Sequence, residues 1–226
     1  MLFDFDGTLT PSLPLWIRAF QVAFEGCGIQ VSEADVIDRF FIQDTNRAFE
    51  GLPIRSMEEV RAGIKVGLRE AFREAILFPG VAELIGQCRD HGLQTAIVTS
   101  APRYVIDDVS PRLGLANLFQ FIITADDVKN FKPHPEPVIQ ALSALECDPK
   151  HALMIGDSTA DVLSGKAAGV ATALYMPLEH ERYHKFEKLR ASEPAHIFVD
   201  HGELRAIIGL PHESITTDSP SMRSGR

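Results

Sequence analysis

Asp4-Phe5-Asp6-Gly7-Thr8-Leu9-Thr10 sets two carboxylates two positions apart, behind a short apolar run and ahead of a glycine. In extended backbone, residues i and i+2 project to one side, so Asp4 and Asp6 are expected to share a crevice while Phe5 points away. Carboxylates this close raise one another's proton affinity unless a cation or a donor intervenes. Such a pair suits divalent metal binding combined with nucleophilic and acid–base work. The strand carrying it, expected over residues 2–5, is short: only Met1, Leu2 and Phe3 precede Asp4, against a usual ~5–6 residues. Either this strand is stunted or the natural chain begins further upstream.

Beyond the doublet the pattern turns helical, over residues 13–77. Leu15, Ala19, Val22 and Ala23 fall on one stripe, Val36, Ile37, Phe40 and Phe41 on a second, and Val60, Ile64, Leu68 and Phe72 on a third. Pro11 and Pro14 bracket the entry to this block and Pro79-Gly80 its exit. From there the chain alternates. Helices over about 81–90, 102–113, 135–146, 159–168 and 202–208 interleave with strands over 93–99, 119–124, 152–155, 171–175 and 196–199. Helices between successive apolar strands predict right-handed βαβ units and a parallel sheet covered on both faces. The expected fold is therefore α/β, a Rossmann-like parallel-sheet core (1–12 and 78–210) with an inserted α-helical cap (13–77). The Ser/Thr/Pro-rich tail, 211–226, is expected to be disordered.

Composition narrows the function classes. The 226 residues are 45% hydrophobic and 23% charged, ordinary for a globular protein, and the formal net charge is −9. That balance argues against nucleic acid or an anionic membrane as the main partner. A phosphorylated metabolite remains accessible if a metal and a local lysine neutralise it. No apolar run approaches the ~18 residues of a membrane span and no signal peptide opens the chain, so a cytoplasmic location is expected. Cys27, Cys88 and Cys147 are far apart and lack C-x-x-C spacing, which predicts free thiols.

In an open α/β sheet, functional groups gather beyond the carboxyl ends of strands. Four such ends carry polar residues here: Asp4 and Asp6, then Thr99-Ser100, then Lys132, then Gly156-Asp157-Ser158 with Asp161. With DFDGTLT at 4–10, VTSAP at 98–102, KNFKPHPEP at 129–137 and GDSTAD at 156–161, the chain resembles haloacid dehalogenase superfamily phosphohydrolases with a helical cap between the first two motifs. Within that superfamily it looks most similar to the phosphoglycolate phosphatase and β-phosphoglucomutase branch, over roughly residues 1–177.

The resemblance implies a magnesium-dependent enzyme hydrolysing a small phosphate monoester, such as a sugar phosphate or phosphoglycolate, through an aspartyl phosphate. Asp4 would be the nucleophile and Asp6 the acid and base. Mg²⁺ would be held by the Asp4 and Asp157 carboxylates and the Asp6 main-chain carbonyl, with Asp161 steadying its waters. The Thr99 hydroxyl, the Ser100 amide and the Lys132 ammonium would bind phosphoryl oxygens, and Gly7 would let the backbone approach closely. Arg47 roughly matches where some relatives place a cap arginine over a second phosphate. Asp6 also separates this chain from dehalogenases and phosphonatases of similar fold, which lack a carboxylate there.

Two rivals remain at this point. A sugar-phosphate mutase of the β-phosphoglucomutase type would return the phosphoryl group to sugar; the mutase branch tends to carry a histidine where this chain has Trp16. A non-catalytic phospho-acceptor also uses an aspartate, Mg²⁺, a hydroxyl and a lysine, but explains neither the helical insertion nor Asp6. Trp16 is expected chiefly in the core, near the hinge. His180, His184 and His201 are expected to be solvated polar residues, and Glu179-His180-Glu181-Arg182 a helix surface.

Overall fold

In the computed structural model, residues 1–42 and 48–210 are described. The tail over 211–226, expected to be disordered, and Arg47 lie outside them. Six parallel strands, β1 (Leu2–Phe3), β2 (Ala96–Val98), β3 (Phe121–Ile123), β4 (Leu153–Gly156), β5 (Ala171–Tyr175) and β6 (His196–Phe198), form one sheet. Its order is β3-β2-β1-β4-β5-β6. The doubly wound α/β class is thus as expected. Short β1 sits in the middle, with Leu2 opposite Ala96 on one side and Met154 on the other. Its ladder reaches one residue further through the Asp4 amide, which donates to the Ile155 carbonyl at 2.8 Å. The winding direction reverses at β1, which opens a crevice beyond its carboxyl end.

The period-two pattern explains both covered faces. Phe3, Ile97 and Ile155 point to one side, where α4 (Val81–Asp90), α5 (Arg103–Leu113) and α10 (His201–Ile207) supply Leu84, Ile106 and Leu204. Leu2, Ala96, Val98 and Met154 point to the other, against Val138 and Leu142 of α7 (Glu136–Ala144). On that side, Val162 of α8 (Thr159–Ala167) also meets Leu174 and Leu189 of α9 (Phe186–Ala191). Phe5 is fully buried in the first of these clusters. Burying such side chains contributes about 1.5–3 kcal/mol each, which a two-residue central strand needs from its neighbours.

Between β1 and α4 the chain forms α1 (Leu13–Gly26), α2 (Glu33–Ile37), a π-helical turn (Asp38–Ile42) and α3 (Met57–Ala71). Helices α1 and α3 lie close enough that Gly67 faces the Ala19 backbone. Leu13, Ile17, Phe20, Phe24 and Val60 make a cluster of their own, with Phe20 and Phe40 stacked at 3.9 Å between ring centres. The two chain crossings run side by side where the Phe78 amide donates to the Leu9 carbonyl at 2.8 Å. α6 (Leu115–Leu118) is a single turn before β3. Among the described residues no helix is long and apolar enough to cross a membrane, and the three cysteines are free.

Candidate active site

Beyond the carboxyl ends of β1 and β4, three acidic side chains converge. Asp4, Asp157 and Asp161 are each at most 7% exposed and offer carboxylate oxygens within 4.8 Å of one another. Lys132 reaches them from the loop after β3. Its ammonium donates to Asp4 Oδ1 at 2.7 Å, to Asp161 Oδ1 at 2.5 Å and to the Val98 carbonyl at 2.9 Å, using all three donors. The loop is held by Glu136, whose carboxylate accepts the Lys129 and Asn130 amides at 2.8 and 3.1 Å. The Ser164 hydroxyl adds a bond to the His134 carbonyl at 2.8 Å.

Local chemistry sets each carboxylate. Ser158 caps α8 and forms a box with Asp161, whose Oδ2 accepts the Ser158 hydroxyl at 2.5 Å and amide at 3.0 Å. Two glycines make room. Gly7 has φ +71°, and a Cβ there would lie 2.0 Å from Asp157 Oδ2. At Gly156 a Cβ would lie 2.2 Å from Asp161 Cγ. Both are positions where any other residue collides with a site carboxylate.

Asp6 lies close enough for its charge to raise Asp4 but is held by a different set of partners. Its carboxylate accepts the Ser12 hydroxyl at 2.5 Å and a bond from Trp16, so Trp16 is both partly buried against Phe20 and Phe72 and a partner of the site. Thr10 orients Ser12 by donating to its oxygen at 2.9 Å. Thr99 is buried, and its hydroxyl accepts the Ala101 amide at 3.0 Å; Ser100 is exposed.

The electrostatics follow from burial. Burial and then the Asp161 charge push the Asp4 carboxyl well above its ordinary range, with Lys132 pulling the other way. Burial raises Asp6 to about 6, against the bonds from Ser12 and Trp16 that favour its anion. Burial would strip the Lys132 proton, but Asp161 and Asp4 outweigh it and hold its proton affinity above the usual lysine value. Three buried carboxylates against one ammonium leave an excess of negative charge, and their all-oxygen donor set fits a hard divalent ion.

The expectation for the histidines is corrected. His180, His184 and His201 are 5, 9 and 8% exposed. His201 Nε2 donates to the Thr8 carbonyl at 2.8 Å and so pins the loop that carries Gly7. His184 Nε2 lies 3.2 Å and His180 Nδ1 3.4 Å from Asp157 Oδ2. The segment Leu178–Arg182 is a 3-10 helix whose Glu179, Glu181 and Arg182 are exposed, as expected of a helix surface, but His180 is turned inward. The four-residue spacing of His180-Glu181-Arg182-Tyr183-His184 was the available signal. Their burial arises from packing against β5 and the helical insertion, which no local pattern displays.

A family model described as haloacid dehalogenase-like hydrolase matches residues 1–175. The chain is 34% identical over 175 residues to the pyrophosphatase PpaX of Bacillus velezensis, covering 76% of this chain and 81% of that protein. It is 32% identical to the phosphoglycolate phosphatase of Salmonella typhimurium, covering 93% and 92%. Its fold is similar to that of a predicted phosphoglycolate phosphatase from Haemophilus somnus 129pt, with a TM-score of 0.79 at 24% identity over 92% of this chain and 96% of that one. The expected phosphohydrolase resemblance therefore holds, and the chain belongs to the haloacid dehalogenase-like hydrolases.

Proposed function

We propose that this hydrolase is a magnesium-dependent phosphatase of small phosphate monoesters, sugar phosphates or phosphoglycolate-like acids, working through an aspartyl phosphate. The observation that carries the reading is the Lys132 ammonium, bonded to Asp4 and Asp161 beside Asp157. An Asp4 oxygen attacks phosphorus and the ester P–O bond breaks, while Asp6 gives its proton to the leaving alkoxide. Asp6 then takes a proton from the water that attacks the same phosphorus, and the P–O bond to Asp4 breaks to release phosphate. A carboxyl raised to about 6 suits both tasks near neutral pH.

The Asp4 and Asp157 carboxylates and the Asp6 main-chain carbonyl would hold Mg²⁺, with Asp161 placed to steady its waters. When bound, the ion supplies positive charge that offsets carboxylate repulsion and the charge of the phosphoryl oxygens. The Thr99 hydroxyl, which accepts from Ala101, keeps its hydrogen to donate to a phosphoryl oxygen, beside the Ser100 amide and Lys132. Residues 13–77 act as a cap over a core of 1–12 and 78–210, excluding water and contacting the leaving group. Arg47 is proposed among the substrate contacts of that cap. Hydrolysis is favoured over mutase chemistry because the Trp16 indole can donate but cannot accept a sugar hydroxyl proton.

Phosphate release from a panel containing phosphoglycolate, hexose phosphates and pyrophosphate tests the reading. Wild-type protein with Mg²⁺ should turn over a monoester many times. Asp4→Asn should not, and chelator should abolish the wild-type activity. Sustained release by Asp4→Asn removes Asp4 as nucleophile, and a single phosphorylation per chain would point instead to a phospho-acceptor.

A further inference from the structure

His180 and His184 carry a second chemistry beside the acidic cluster. The turn after Pro177 brings them to one side, through a 3.0 Å bond from the His184 amide to the His180 carbonyl. Their rings lie 6.0 Å apart, and both face Asp157 Oδ2. His180 Nδ1 is buried and makes no hydrogen bond among the described residues, although it is 3.4 Å from that oxygen. A buried imidazole nitrogen without a partner is unusual and calls for an explanation.

The spacing supplies one. Zinc-class ions bind imidazole nitrogen and carboxylate oxygen at about 2.0–2.2 Å in a tetrahedron, so two ligand atoms of one ion stand about 3.3 Å apart. The distances from Asp157 Oδ2 are 3.2 Å to His184 Nε2 and 3.4 Å to His180 Nδ1, and all three ligand atoms fall within 4.8 Å of one another. Imidazole donors suit zinc, copper and nickel, whereas magnesium prefers oxygen. A cleft of about 430 Å³, bounded by Pro11, Leu13, Tyr175, His180 and Tyr183, offers an entry path.

We propose that Asp157 Oδ2, His180 Nδ1 and His184 Nε2 form a binding site for a divalent transition ion of the zinc class, separate from the all-oxygen cluster and joined to it through Asp157. Three protein ligands leave a fourth position for water. Both imidazoles ligate in their neutral form, with the remaining ring protons on His180 Nε2 and His184 Nδ1. Glu181 is exposed, so the H-E-x-x-H order here places no general base at the ion and implies no metal-dependent hydrolysis of its own.

Cobalt(II) titration of the full chain in excess Mg²⁺ tests this, because low-coordinate cobalt gives intense visible bands and octahedral oxygen-bound cobalt only weak ones. One equivalent should bind with intense bands and be displaced by one equivalent of Zn²⁺. His180→Gln and His184→Gln should each weaken binding at least tenfold. Weak octahedral bands alone, or intense bands that persist in both variants, overturn the site. If His184→Gln loses its native circular dichroism, His180→Gln decides the matter, since its Nδ1 contributes no hydrogen bond to the fold. A consequence, Zn²⁺ inhibition relieved in His180→Gln, rests on the phosphatase reading. The cobalt spectrum needs no turnover, so failure of either idea is distinguishable.

Discussion

At Asp6, a single carboxyl couples reactivity to stability. Burial holds its proton affinity near 6, while the Ser12 hydroxyl and Trp16 favour its anion. Removing a donor to the charged form raises a carboxyl's pKa. Ser12→Ala should therefore move the Asp6-governed limb of the pH profile of kcat/KM upward, by about 0.5–1 unit; an unmoved limb would assign that limb to another group. Stability follows with a definite sign. The folded value lies above the ordinary 3.8, so the contribution of this group is complete below about pH 4 and is lost as pH rises through about 6. Asp6→Asn escapes that loss. In metal-stripped protein its melting temperature should exceed wild type by roughly 2–8 °C more at pH 8 than at pH 5, equivalent to about 1–2 kcal/mol. A pH-independent difference in scanning calorimetry would exclude the linkage.

Among the elements, glycines inside helices separate packing from propensity. Gly67 lies in α3, where a Cβ would stand 2.7 Å from the Ala19 carbonyl oxygen and 3.0 Å from Ala19 Cα in α1. Backbone cannot yield as a side chain can, so Gly67→Ala must part the helices. Overpacking costs about 1–3 kcal/mol, which outweighs the ~1 kcal/mol gained in helix propensity. Gly86 in α4 has nothing within 4 Å of an added Cβ. Gly86→Ala should keep the propensity gain and stabilise by about 0.5–1 kcal/mol. Urea midpoints should fall for the first and rise for the second; equal shifts would mean that helix contact at Gly67 does not govern. The same contrast explains what was legible. The helices α4, α5 and α7 show in the sequence because each repeats apolar residues at helical spacing over nine or more positions. The six-residue α9 repeats too little to register, and its place is fixed by Leu189 packing on β5. Strands read as 93–99 and 119–124 shorten to Ala96–Val98 and Phe121–Ile123, because apolar runs extend past the paired backbone.

For the whole molecule, one ammonium ties together chain segments that meet only in the folded state. Lys132, itself from the loop after β3, bonds to Asp4 after β1, to Val98 at the end of β2 and to Asp161 in α8 after β4. Asp4 stands just behind an apolar run, Lys132 in the loop after another and Asp161 four positions beyond Asp157 at the end of a third, which is why their convergence could be anticipated. For His180 and His184 the four-residue spacing is legible, but their burial against Asp157 is not, because only tertiary packing produces it. Lysine removal also has a calculable effect. The Lys132 side chain is 4% exposed and its partners Asp4 and Asp161 are 10% and 1% exposed. Breaking a buried pair by removing one partner costs about 3–5 kcal/mol, since the remaining charge has no counterion. In chelator, Lys132→Ala should therefore melt roughly 6–20 °C below wild type. Unpaired carboxylates should in turn draw more from a divalent ion: Mg²⁺ stabilises by mass action according to its affinity for the folded state, so millimolar Mg²⁺ should raise the melting temperature of Lys132→Ala by more than that of wild type. Activity should stay low, because the ion can replace the charge of the ammonium but not its three directed hydrogen bonds. Equal Mg²⁺ responses in the two proteins would show that Lys132 does not share the electrostatic load of Asp4, Asp157 and Asp161.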